Sequence, residues 1–293
     1  MIGLSLGYVA VYVVLVGVAS FVESPVGRGV GAFQLNAQIR TGSLAAAVVA
    51  LIAAHGLTFP ALRPALVGLG IGLLTGIGSF FYCFALDYLP VSSVVTFSNL
   101  YIAITTLLGI VVLGESLTAL KITGLACTLA GVVLLAHAPA RYGVNPDTGS
   151  GKDGPPIRAF VIMASYIAII GVGAFLEKPA LRGLDATQLN GLMAIAMTAV
   201  AALALALKGP RPPMTSRTLA GVGVRAMIGS ASVFYFLGLQ GLPVSVAAAV
   251  SNASIVVTVV LASIFLRQPL TGARVAAVAL TLLGVTQLAL SAG

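Results

Sequence analysis

Charge is what this sequence has least of. Only 8% of its 293 residues are charged, 59% are apolar, and the mean hydropathy is +1.11. Ordinary soluble domains carry roughly 25% charged residues. A hydrated surface cannot be built from so few ionic groups, which excludes a water-soluble globular domain. Histidine and cysteine are scarce too, with two of each. His55 and His137 sit at the ends of apolar runs with no second histidine or carboxylate at metal-ligand spacing. Cys83 and Cys127 lie inside apolar runs, where packing is their ordinary role. No Walker sequence occurs, so ATP is not expected as the direct energy source, and no cofactor is expected. An enzyme would need a nucleophile, base or metal cluster, and the two histidines form none. The net charge of +8 does not point to nucleic acid, because the basic residues are scattered and form no run.

What the sequence has is long apolar runs. A bilayer-spanning helix needs about 20 mainly apolar residues, so the chain has room for about ten. The runs fall near residues 4–26, 34–56, 64–86, 91–113 and 118–137, then 158–180, 187–207, 217–239, 244–266 and 271–291. In the first, the apolar segment from Leu4 to Val22 is followed by Glu23 and Pro25 rather than the small residues of a cleavage site, and it reads as a retained helix. Between the two sets, residues 138–157 contain Pro139, Asn145, Pro146, Gly149, Gly151, Pro155 and Pro156, the composition of an exposed linker. The expected organisation is a first five-helix unit over 1–137, a linker over 138–157 and a second unit over 158–293.

The two units are related. A shift of 154 positions places Tyr12 on Tyr166, Gly17 on Gly171, Phe21 on Phe175, Glu23 on Glu177, Pro25 on Pro179 and Asn36 on Asn190. After a one-residue gap, a shift of 153 places Leu89-Pro90-Val91-Ser92 on Leu242-Pro243-Val244-Ser245, Asn99 on Asn252, and Leu117-Thr118 on Leu270-Thr271. Many matched residues are polar, Pro or Gly, so apolar coincidence does not produce them. An odd number of spans per unit makes the second enter the bilayer from the opposite face. The expected fold is therefore an all-α membrane protein of ten transmembrane helices arranged as two inverted five-helix repeats. Secondary transporters use inverted repeats to reach two nearly equivalent conformations, with a site at the repeat interface near mid-membrane.

The segment Leu113-Gly114-Glu115-Ser116-Leu117-Thr118, followed by Gly124 and Gly131-Val132-Val133-Leu134-Leu135, resembles the element closing each repeat of the EamA-like drug/metabolite transporters. Its counterpart, Leu266-Arg267-Gln268-Pro269-Leu270-Thr271, lacks the Gly-Glu pair. Gly17 to Phe21 and Arg40 also resemble that pattern. The resemblance implies a ten-helix basket in a bacterial inner membrane, monomeric or homodimeric, that moves a metabolite, amino acid or drug. It implies cytoplasmic termini, whereas the bias of Arg and Lys among the loops puts both termini outside. A rival class is a non-transporting sensor or an accessory subunit of a lipid-carrier flippase.

Glu23 and Glu177 are the sharpest candidates for function, each near the end of an apolar run and two residues before a proline. An ionised group at the bilayer centre costs on the order of 2.5–3.5 kcal/mol on insertion scales, so such residues face a cavity or a partner. One reading makes them a proton or cation site, and the other places them at the water interface. Arg40 and Arg225 lie inside the second and eighth spans, and their repeat counterparts, Ala194 and Ile71, are apolar. They either pair with a carboxylate or extend to the headgroups. Asn99 and Asn252 occupy equivalent depths in the fourth and ninth spans, where they line a path or bond helices together. Among the aromatics, Tyr82, Tyr101 and Tyr235 are the expected walls of a pocket for a ring or a cation. Glu115 is expected to be structural, and Ser116, Thr118 and Thr271 to cap helices.

Overall fold

The computed structural model describes residues 2–26, 32–55, 60–85, 88, 94, 97–137, 156–208, 216–265 and 271–291. Their helices are α1 (Ile2–Val26), α2 (Ala32–His55), α3 (Leu62–Ala85), α4 (Tyr101–Leu113) and α5 (Ala119–His137) in the first half. The second half holds α6 (Pro156–Ala180), α7 (Ala186–Lys208), α8 (Ser216–Gly241), α9 (Val244–Ser251), α10 (Ser254–Phe265) and α11 (Gly272–Ser291). No strand occurs among the described residues. Among the described residues, seven stretches are long and apolar enough to cross a bilayer, the last but one being α9 and α10 taken together, and three shorter apolar helices accompany them. The linker expected over 138–157 lies almost wholly outside the described residues.

The outer surface is apolar and much of the interior is polar. Phe160, Val111, Leu207 and Leu62 are about seven-tenths exposed, whereas Lys121, Arg225, Thr105 and Thr128 are fully buried. A water-soluble protein sorts these groups the other way. Hydrocarbon chains are the solvent that suits this surface.

The heaviest packing runs between the halves, and it is reciprocal. α1 packs on α8 and α6 on α3, α2 on α8 and α7 on α3, and α1 on α10 and α6 on α4. α2 meets α7 and α5 meets α11, each helix facing its own repeat counterpart. Single atoms follow the same exchange. Thr105 Oγ1 donates to the Gly171 carbonyl at 3.0 Å, and Thr258 Oγ1 donates to the Gly17 carbonyl at 3.0 Å. Glycines let these helices approach: a Cβ on Gly17 would stand 2.8 Å from the Ser254 carbonyl, and one on Gly171 would stand 3.0 Å from that of Tyr101.

The same exchange corrects one alignment. Gly42 lies against Arg225 and Gly72 lies against Ala196. Gly42 and Ala196 are counterparts, so Arg225 answers to Gly72 rather than Ile71. The one-residue gap therefore falls before α3, where the smaller shift also matches Gly76 to Gly229 and Tyr82 to Tyr235.

The fourth and ninth spans, expected to be continuous, are broken at the same place. Asn99–Leu100 and Asn252–Ala253 are turns. At the first break the amides of Leu100, Ile102 and Ala103 bond carbonyls three residues back, and at the second Ala253, Ile255 and Val256 do the same. Tighter i to i+3 bonding redirects the chain without leaving these amides unsatisfied. Thr118 Oγ1 accepts from the Lys121 amide at 3.2 Å and Thr271 Oγ1 from the Arg274 amide at 3.4 Å, so both threonines cap as expected.

Candidate functional site

Where the two halves meet, they enclose a cavity of about 440 Å³. Its walls are built largely from repeat counterparts: Tyr12 and Tyr166, Asn36 and Asn190, Arg40 and Ala194, Ser43 and Met197, Thr75 and Ile228, Ser79 and Ser232, Tyr82 and Tyr235. Both members of seven such pairs thus line one cavity. The aromatic members pair across it. Tyr12 meets Tyr235 with ring centroids 5.3 Å apart, and Tyr82 meets Tyr166 at 5.5 Å. Both are tilted contacts, within the range that aromatic pairs prefer.

The charged residues of the wall are not matched in this way. Glu177, from the last turns of α6, is buried and lines the cavity beside Tyr12, Tyr101 and Tyr235. Arg40, from α2, also lines it and turns inward. Its guanidinium donates to Ser79 Oγ at 2.5 Å and reaches Met197 Sδ at 3.1 Å, so it does not extend toward headgroups. Asn190 Nδ2 donates to the Gly229 carbonyl at 3.1 Å, which ties α7 to α8 within the cavity wall.

Of the residues singled out by sequence, Glu177, Arg40, Tyr82, Tyr101 and Tyr235 line this cavity. Arg225 is fully buried, and Ser43 Oγ donates to its carbonyl at 3.4 Å. It does not line the cavity, and burial leaves it no route to the headgroups. Asn99 and Asn252 are buried at the two helix breaks, and Ser251, one residue before the second break, lines the cavity instead. The side chain of Glu23 lies outside the described residues. Sequence reasoning passed over Asn36, Asn190, Ser79 and Ser232, and left Tyr12 and Tyr166 unselected. The signal was present, since all six are polar or aromatic residues recurring in both halves inside apolar spans.

Beyond the cavity, a second polar cluster joins the halves. Asp185 Oδ1 accepts from the Thr187 hydroxyl at 2.6 Å and from the amides of Thr187 and Gln188, capping α7, while Oδ2 lies 2.8 Å from His55 Nε2. Burial alone would push the Asp185 carboxyl up. The Thr187 hydroxyl, the two amides and His55 outweigh it and hold the carboxyl below its ordinary value.

A sequence profile of the EamA-like transporter family matches residues 3–136 and again residues 158–290. The chain belongs to the EamA-like transporter family. It is thus an integral, multi-pass membrane protein of a family that carries small molecules across the bilayer. One solved crystal structure resembles this EamA-like protein with a TM-score of 0.81 at 22% sequence identity, covering 98% of this chain and 97% of the other. The likeness establishes a shared fold. A search of curated proteins found no match.

Proposed function

We propose that this EamA-like protein is a secondary transporter that carries a small amine-bearing solute by alternating access. Residues 1–137 and 158–293 act as two inverted five-helix repeats, joined by the segment between them. The observation that carries the reading is the cavity walled by seven repeat-related pairs. Two halves with reciprocal contacts have a second, nearly equivalent arrangement in which each takes the other's role, which is the physical basis of opening to either side in turn. Five spans per half set the halves upside down relative to one another.

The chemistry of the solute follows from the groups around Glu177. A carboxylate among three tyrosines offers a charge partner and ring faces for an ammonium, and the flanking Met193 and Phe236 offer contact for an apolar body. Arg40 is held by Ser79 and Met197 and excludes a second positive charge from its part of the cavity. Glu177, and Glu23 at the equivalent position of the other half, bind either a proton or the ammonium, which links solute movement to a proton gradient.

The test is flux of amine-bearing solutes, amino acids among them, into liposomes holding the full chain under an imposed pH gradient. Glu177→Gln, alone and with Glu23→Gln, is expected to abolish the response to the gradient. Unchanged proton-linked flux in both variants would remove the carboxylates from the mechanism. Binding of solute without any flux would favour an accessory or sensory role.

A further inference from the structure

The turn between α8 and α9 is held from two sides by charges that suit the helix ends they touch. Lys178, the residue after Glu177, turns away from the cavity. Its Nζ donates to the carbonyls of Leu239 at 2.5 Å, Gln240 at 3.0 Å and Leu242 at 2.9 Å, at the C-terminal end of α8. Glu115 comes from the other half. Its Oε1 accepts from the Val244 amide at 2.5 Å, and its Oε2 accepts from the Ser245 amide at 3.4 Å and from the Ser245 hydroxyl, at the N-terminal end of α9. A cation on the last carbonyls of one helix and an anion on the first amides of the next both oppose the local dipole and satisfy groups left open by the turn. Lys121 Nζ lies 3.3 Å from Glu115 Oε2, so a cation from α5 packs against the nearly buried carboxyl group.

The local backbone is built for this. Gly114 ends α4 with a left-handed φ of 67°, which a glycine adopts without steric cost. The Glu115 amide returns to the Gly109 carbonyl at 3.1 Å, folding the carboxylate back toward α9. A Cβ on Gly109 would stand 3.2 Å from Glu115 Cδ and 2.8 Å from Val244 Cγ1, so only a residue without a side chain leaves that passage open.

The arrangement is one-sided. By the repeat shifts, Ser24 is the sequence counterpart of Lys178 and Gln268 that of Glu115. Neither clamping charge recurs at the matching position of the other half of the sequence. Lys178 and Glu177 are consecutive on one helix turn, so a solute that pulls on Glu177 pulls on the clamp as well.

We infer that Glu115 and Lys178 form a charged gate that holds one mouth of the cavity shut, makes that state the resting one, and opens when the α8–α9 turn is released. The inference rests on the alternating-access reading, and its test needs no transport.

Spin labels are placed on cysteines at Leu117 and Gln240, which are exposed on the two sides of the clamp, in the full chain with Cys83→Ala and Cys127→Ala. The labelled wild type is expected to show one dominant short distance in lipid nanodiscs. Glu115→Gln with Lys178→Met is expected to raise the long-distance fraction about five-fold or more, the change that roughly 1 kcal/mol produces. Lys178→Arg, which keeps the charge, is expected to preserve the short distance. A double variant with the wild-type distribution overturns the gate. Should that variant fail to give monodisperse protein, Glu115→Asp is read in its place: a shift toward long distances supports the gate, and an unshifted distribution overturns it. A failed flux assay beside a shifted distribution would remove the transport reading and leave the gate standing.

Discussion

Tyr12 meets Tyr235, and their sequence counterparts, Tyr166 and Tyr82, 154 and 153 positions away, meet each other. The aromatic wall of the cavity is one contact made twice. Both pairs are therefore expected to contribute alike. A double-mutant cycle of Tyr12→Leu and Tyr235→Leu, followed by denaturant unfolding in micelles, should give a coupling of about 0.5–1.5 kcal/mol, and the Tyr82 and Tyr166 cycle a similar value. A zero coupling in either would mean that the rings are neighbours without energetic consequence.

The contact of α5 with α11 is expected to tolerate no added volume. A Cβ on Gly284 would lie 2.5 Å from the Thr128 amide nitrogen and 2.6 Å from the Gly124 carbonyl oxygen, both backbone atoms that cannot give way locally. Gly284→Val should destabilise by about 1–3 kcal/mol and lower the thermal midpoint in detergent. Gly70→Val is the control, since nothing lies within 4 Å of its Cβ position. Equal midpoints for the two variants would contradict the packing.

Asp185 predicts a pH dependence. Its carboxyl is held below its ordinary value in the folded chain, so its charge adds stability above the ordinary aspartate pKa of about 3.9, and that stability is lost as pH falls through the lower folded value. The carboxylate is more than a third exposed, so solvent screening keeps the effect small. Thermal unfolding of wild type and Asp185→Asn should differ at pH 7 and converge toward pH 3. A gap that stays constant over this range would assign the loss to capping geometry instead of charge.

The membrane class, the two related halves and the family were legible in the chain because each rests on local information. Hydropathy over a window of about 20 residues reports a span, and polar residues recurring at a fixed shift report a duplication. The threonine caps at Thr118 and Thr271 were legible for the same reason, since a cap spans one helical turn. Part of the cavity was also legible, because Glu177, Arg40, Tyr82, Tyr101 and Tyr235 are polar or aromatic where lipid would exclude them.

Tertiary structure decided which of those residues meet. Arg40 finds Met197 and Ser79, Glu115 finds Val244 and Ser245, and Asn99 and Asn252 mark helix breaks while Ser251 faces the cavity. Side chains of residues more than a hundred positions apart are brought together by helices crossing between halves, and the angle at which each crosses depends on glycines such as Gly17 and Gly171 packing against a partner backbone. A linear pattern holds the depth of a residue in the bilayer. The direction in which it points is settled only when every helix has a neighbour, because in hydrocarbon the packing of surfaces, and not their hydropathy, selects the face that turns inward.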